Sequence, residues 1–179
     1  LSRYPPAELQ QQTMAYATLP QQSLRQSLPS NTYRQLVSAG LIYGLPVGQM
    51  HAFKPMLAFQ QLGLLGFIAM GYDPAFGIDQ YFGQLGERGA EDILQLETLD
   101  LQLKLLFNQP LDVQTAVLEQ ALADLDDIEQ STSALVSAYF NGDDARLLSL
   151  IEEQAGEHPL TRAFNAQLLD QRNRGMART

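Results

Sequence analysis

Cysteine is missing altogether from this 179-residue chain. Its absence excludes disulfides, thiolate metal sites and cysteine nucleophiles together, and leaves the redox compartment open. Positive charge is scarce as well. Eleven Lys and Arg stand against 20 Asp and Glu, giving a net charge of -9 and a pI near 4.5. A nucleic-acid binder needs a clustered basic face, so no nucleic-acid partner is expected; the acidity reports solubility. Long apolar runs are lacking too. The most apolar segment, 56–70, contains Gln60 and Gln61 and falls short of the roughly 20 apolar residues a membrane helix needs. It is expected to be a buried core helix, with no transmembrane segment in this chain. The first residues have neither a basic start nor an apolar segment, so no signal peptide is visible. The first residue is Leu rather than Met, and the chain is expected to be a processed product or an excised piece. There is no Gly-x-Ser-x-Gly elbow, no phosphate-binding loop and no His-Glu-x-x-His.

What is present is helix-forming sequence. With 45% apolar residues the chain is long enough for one core, and residues 1–179 are read as a single domain or domain fragment. Proline, glycine and capping residues divide it into expected helices over 7–19, 21–28, 32–43, 49–70, 99–107, 111–140, 144–155 and from 159 onward. Tyr33, Leu36, Val37 and Leu41 recur near helical spacing in the third of these. Gly63 and Gly66 lie inside the fourth, where they cost helix stability and so are expected to permit close packing. A polar patch at 129–133 is expected to bend or split the long run over 111–140. Asp73 and Asp79 have N-cap placement. One short strand is expected near residues 92–97, and a strand cannot stand alone as a sheet. Its partners must be missing from the chain, supplied by self-association with another copy, or hidden among the expected helices. The fold class is therefore mainly α, read as the helical middle portion of an α/β domain.

Two residues stand out as candidate chemistry. In an extended run Ile93, Gln95 and Glu97 face one way while Leu94 and Leu96 face the core. Glu97 then sits at a strand end beside Thr98, a good N-cap for the helix that follows, where α/β folds place ligand sites. The other reading is an ordinary surface glutamate. Arg172 lies four residues after Leu168 and four before Met176, on the apolar row of the last helix. An arginine there either needs an anionic partner, because an unpaired buried charge is costly, or lets its head reach water along an apolar surface. Glu97 is the expected partner. The two histidines, His51 and His158, are isolated and make no transition-metal site by themselves. The acidic clusters at Asp124, Asp126, Asp127 and at Asp143, Asp144 lack calcium-loop spacing and read as solvated faces and caps.

Several short stretches, in order, resemble the TraB/GumN family, which also holds the animal Tiki proteins. They are Lys54-Pro55, Asp73-Pro74-Ala75-Phe76-Gly77-Ile78-Asp79 with Phe82, and Leu96-Glu97-Thr98 followed by Gln102-Leu103. The Asn141-Gly142-Asp143 turn and Arg172-Asn173 complete the set. The resemblance implies a metal-dependent hydrolase, with a peptidase as its narrower form, and a protein that is secreted, periplasmic or membrane-anchored. It implies that Glu97 matches the family glutamate, as metal ligand or base, and Arg172 the family arginine. It also implies two Gly-x-x-His motifs, one on each side of this region. Neither is here, and Gly48-Gln49-Met50-His51 spells the motif in the wrong place. A divalent metal is thus expected in the full-length protein and none in this chain alone, which is expected to be inactive. The substrate, a peptide or a small molecule, is not named by these residues. The competing expectation is a non-catalytic binding or regulatory module in which the Glu97–Arg172 pair is structural.

Overall fold

A computed structural model describes residues 5–89, 96–154 and 158–177. Among them the chain is mainly α and holds no sheet. Its helices are α1 (Pro6–Ala17), α2 (Leu24–Ser27), α3 (Ser30–Tyr43), α4 (Pro55–Ala69) and α5 (Ile78–Arg88). They continue with α6 (Leu99–Phe107), α7 (Leu111–Asp124), α8 (Ile128–Asn141), α9 (Asp144–Gln154), α10 (Pro159–Asn165) and α11 (Arg172–Met176). Short 3-10 turns lie at Val47–Met50, Pro74–Phe76 and Leu125–Asp127, and a π-helical turn, Ala166–Gln171, joins α10 to α11.

Local chemistry explains most boundaries. Ser23 forms a capping box with Gln26 at the start of α2. Gly44 and Gly142 end α3 and α8 in the left-handed region that disfavours residues with a Cβ. Thr98 caps α6, its Oγ1 accepting from the Leu101 amide at 3.2 Å. His158 caps α10 by accepting from the Leu160 amide at 3.2 Å.

Several expectations are corrected. The helix expected over 49–70 starts at Pro55, because a proline at N1 forfeits no helical hydrogen bond; Gly48 and His51 lie in and beside the preceding 3-10 turn. The long run over 111–140 breaks at Leu125–Asp127, between aspartates of low helix propensity, and not at the Ser/Thr patch. Asp79 is the second residue of α5, whose N-cap is Gly77, while Asp73 does cap its turn, accepting from the Ala75 amide at 2.8 Å. Gly66 permits close packing, since a Cβ there would meet Ile128 Cδ1 at 3.0 Å; Gly63 faces open space. Most of the strand expected near 92–97 falls on residues 92–95, outside the described residues; its described end forms a bend in which Leu96, expected to face the core, is exposed and Glu97 turns inward instead.

The core lies where α4 packs on α7, with α3 and α10 beside them and α1 against α6. Leu24, Leu36, Met56, Leu62, Phe107 and Leu118 are among its fully buried side chains, and Phe164 of α10 joins them. The wide apolar surface of α4 divides accordingly. Leu57 and Leu62 are buried, whereas Leu64, Phe67 and Ile68 face outward. Leu41 of α3 is also exposed, because the buried row of that helix runs through Leu36, Ala39 and Gly40. An isolated antiparallel bridge, Thr18 to Phe53, ties the end of α1 to the approach of α4.

Candidate functional site: the two ends of helix α6

Helix α6 is the element on which the polar chemistry converges. Its C-terminal end is sealed by side chains from α4 and α7. Lys54, the N-cap residue of α4, reaches the Phe107 carbonyl through Nζ at 2.9 Å. Burial pushes the Lys54 amine below the ordinary lysine range. Gln114 of α7 is almost fully buried. Its amide nitrogen donates to the Gln109 carbonyl at 2.7 Å and the Phe107 carbonyl at 3.3 Å, and its oxygen accepts from the Met56 amide at 3.3 Å. Gln109 folds back to donate to the Leu105 carbonyl at 2.6 Å and reaches Gln167 Oε1 at 3.2 Å. These bonds satisfy carbonyls that a helix C-terminus otherwise leaves without partners.

The N-terminal end of α6 holds the candidate site. Glu97 stands immediately before the N-cap Thr98, and its side chain is 7% exposed. Arg172, at the first turn of α11, lies against it from 75 residues away. Arg172 Nε donates to both Glu97 oxygens at 2.8 Å, and Nη2 makes a short contact with Oε1. Gln102, one turn into α6, donates its amide to the same Oε1 at 2.6 Å. The guanidinium and the Gln102 amide hold the Glu97 carboxyl below the ordinary carboxylate range, against the opposing effect of burial. Glu97 in turn pushes the Arg172 guanidinium further up.

Loading of the pair is uneven. Each carboxylate oxygen offers about two lone pairs. Oε1 receives Arg172 Nη2, Gln102 and a share of Arg172 Nε, whereas Oε2 receives only the shared Nε. The guanidinium meets Glu97 through its Nε–Nη2 edge. Its Nη1 has no partner among the described residues, and the side chain is 31% exposed. Among the described residues, one acceptor position and one donor end therefore stay open beside the ion pair.

Arg172 reaches this place because the last helix changes pitch in front of it. The π-helical turn Ala166–Gln171 ends at Arg172, and π turns insert one extra residue into the helical register. Beside the pair, Asp100 in the first turn of α6 accepts from the Tyr16 hydroxyl and pairs with Lys104 at 2.7 Å, docking α1 on α6. Lys104 and Tyr16 lower the Asp100 carboxyl, and the Tyr16 phenol is pushed up.

Sequence reasoning thus brings Glu97 and Arg172 to one place and keeps His51 and His158 out of it. It passes over Gln114, although a glutamine three and four residues before the buried Val117 and Leu118 carries the signal that singles out Arg172: a polar side chain on an apolar row. A divalent metal is not matched by the described residues. Among them no group of three or more His, Cys, Asp or Glu could hold one, and Glu97 alone offers a single open position. Nor is any described helix long and apolar enough to cross a membrane.

No curated protein and no solved structure matches the chain significantly. The TraB/PrgY/gumN family profile matches residues 1–179, the whole length of the chain. By that match, the chain belongs to the TraB/PrgY/gumN family.

Proposed function

We propose that this chain contributes the Glu97–Arg172 pair to the active site of a hydrolase that cleaves an amide bond, with a peptide as the substrate. The observation that carries this reading is the pair itself: a part-buried carboxylate pins one edge of a guanidinium whose other end is open among the described residues. In hydrolysis, negative charge gathers on the carbonyl oxygen as water adds to the carbon. A fixed guanidinium end, already oriented, stabilises that charge without reorganising as the reaction proceeds. Glu97 serves as the anchor of Arg172 on this reading. A carboxyl held below the ordinary range is a weak proton acceptor, which favours anchoring over general-base duty. A divalent metal would take Glu97 Oε2 as one ligand at most, the others lying outside the described residues.

One observation favours a second reading. The loading of Oε1 by two residues is also what a structural tie between α6 and α11 requires. In that case the chain is a binding or regulatory module. Metal titration and peptide hydrolysis with the full-length protein, with and without Glu97→Gln, separate the two. The hydrolase reading expects turnover to fall by roughly 100-fold or more, the scale of losing one oriented charge-stabilising donor. Full activity with unchanged metal affinity in the variant would rule it out.

A further inference from the structure

We infer that Gln102 is a positioning residue for the site: its amide fixes the plane of the Glu97 carboxylate and, through it, the direction of the Arg172 guanidinium. The inference rests on the hydrolase reading of the Glu97–Arg172 pair and adds to it an atom-level arrangement. With Thr98 as N-cap of α6, Glu97 occupies the position just before the cap, and Gln102 is the fourth residue inside the helix. Those two positions are where helices place a hydrophobic staple, whose contact fixes the angle at which the chain approaches the first turn. Here the staple is polar. Its bond, Gln102 Nε2 to Glu97 Oε1 at 2.6 Å, fixes the same angle and also fixes the rotation of the carboxylate.

The consequence follows from lone pairs. Gln102 and Arg172 Nη2 together fill the acceptor capacity of Oε1, so the guanidinium edge closes on a carboxylate whose plane is already fixed. Oε2, bonded among the described residues only to the shared Nε, keeps acceptor capacity. Without the Gln102 amide the carboxylate can turn about its last torsion, a broad and two-fold one. The plane of the carboxylate would then drift, and Arg172 Nη1 would lose its fixed direction. An apolar staple would hold the helix start equally well, so helix stability alone does not call for a glutamine here.

Gln102→Met, which keeps length and volume without the donor, tests this beside Gln102→Lys, which keeps a donor within reach. Three readouts are needed: melting temperature, the NMR signal and hydrogen-exchange rate of Arg172 Nε–H, and hydrolysis by the full-length protein. Gln102→Met should keep the fold while Arg172 Nε–H exchanges roughly tenfold faster, the effect of losing about one hydrogen bond. Hydrolysis should fall with it, and Gln102→Lys should restore the Arg172 signal. A Gln102→Met protein whose Arg172 signal and hydrolysis both match the parent overturns the inference. So does a Gln102→Lys protein as loosened as Gln102→Met. Full hydrolysis by Glu97→Gln, whatever the Gln102 variants show, instead overturns the hydrolase reading beneath it.

Discussion

The two ends of α6 use the same materials to opposite ends. At its C-terminus Gln114 uses both amide protons and its oxygen on two backbone carbonyls and an amide, and Lys54 and Gln109 each donate to a carbonyl of the helix end. At its N-terminus Glu97, Gln102 and Arg172 satisfy one another and, among the described residues, still leave Oε2 and Nη1 with capacity to spare. A folded chain gains nothing in stability from spare capacity in a half-buried charged cluster, because desolvating charges is costly unless every group is paired. The closed end is what holding helices together requires; the open end is what binding something requires. That difference separates a structural knot from a candidate site more sharply than burial alone, since both ends contain nearly buried polar side chains.

Substitutions at the two ends should therefore part company. The largest stability effect belongs to Gln114→Leu at the closed end, where the Met56 amide and the Gln109 carbonyl lose their partner. We expect about 3 kcal/mol of destabilisation, lowering the melting temperature by roughly 6–12 °C in calorimetry, with the Arg172 Nε–H signal unmoved. Glu97→Ala at the open end should cost about 2 kcal/mol, less than for a fully buried pair, because the Arg172 head can still reach water. Its loss of hydrolysis should far exceed its loss of stability. If Gln114→Leu and Glu97→Ala changed stability and activity in the same proportion, the distinction between the ends would fail.

Acid sharpens the comparison further. The folded-state value of Glu97 lies below its ordinary 4.5, so the stability it contributes is fully present above about 4.5 and drains away as pH falls through the folded value. The stability gap between parent and Glu97→Gln should thus be constant at neutral pH and shrink on acidification, followed by urea melts across that range. Gln114→Leu should show no such narrowing, since an amide does not titrate. The smallest effect is expected for Lys54→Met, about 1 kcal/mol in the same melts, because the Phe107 carbonyl keeps its bond from Gln114.

Much of this was legible in the residues. The helical class followed from apolar spacing and from prolines and glycines between segments, and α6 matched its expected bounds because Thr98 starts it and Asn108-Gln109-Pro110 stops it. Arg172 was legible because a charge on an apolar row requires an explanation. Gln114 bears the same mark, but an uncharged amide raises less alarm than a guanidinium, and its partners are backbone groups that no sequence pattern names. The role of Gln102 depends on a side chain reaching back five residues to Glu97, visible only once Thr98 is known to be the cap. The π turn before Arg172 has no periodic signature, since a single extra residue looks like ordinary helix. Gly63 and Gly66 show the same limit: both weaken α4 equally on paper, and only the neighbour Ile128 tells them apart.

The central claim is that Glu97 and Arg172 do more than tie α6 to α11. The charge-swapped protein, Glu97→Arg with Arg172→Glu, tests it most directly, by melting temperature and peptide hydrolysis beside the two single variants. The account predicts that the swap regains part of the stability each single variant loses, because an ion pair is present again, while hydrolysis stays absent because the open guanidinium end now points from the wrong helix. Hydrolysis at the parent level in the swapped protein, or in either single variant, would contradict it.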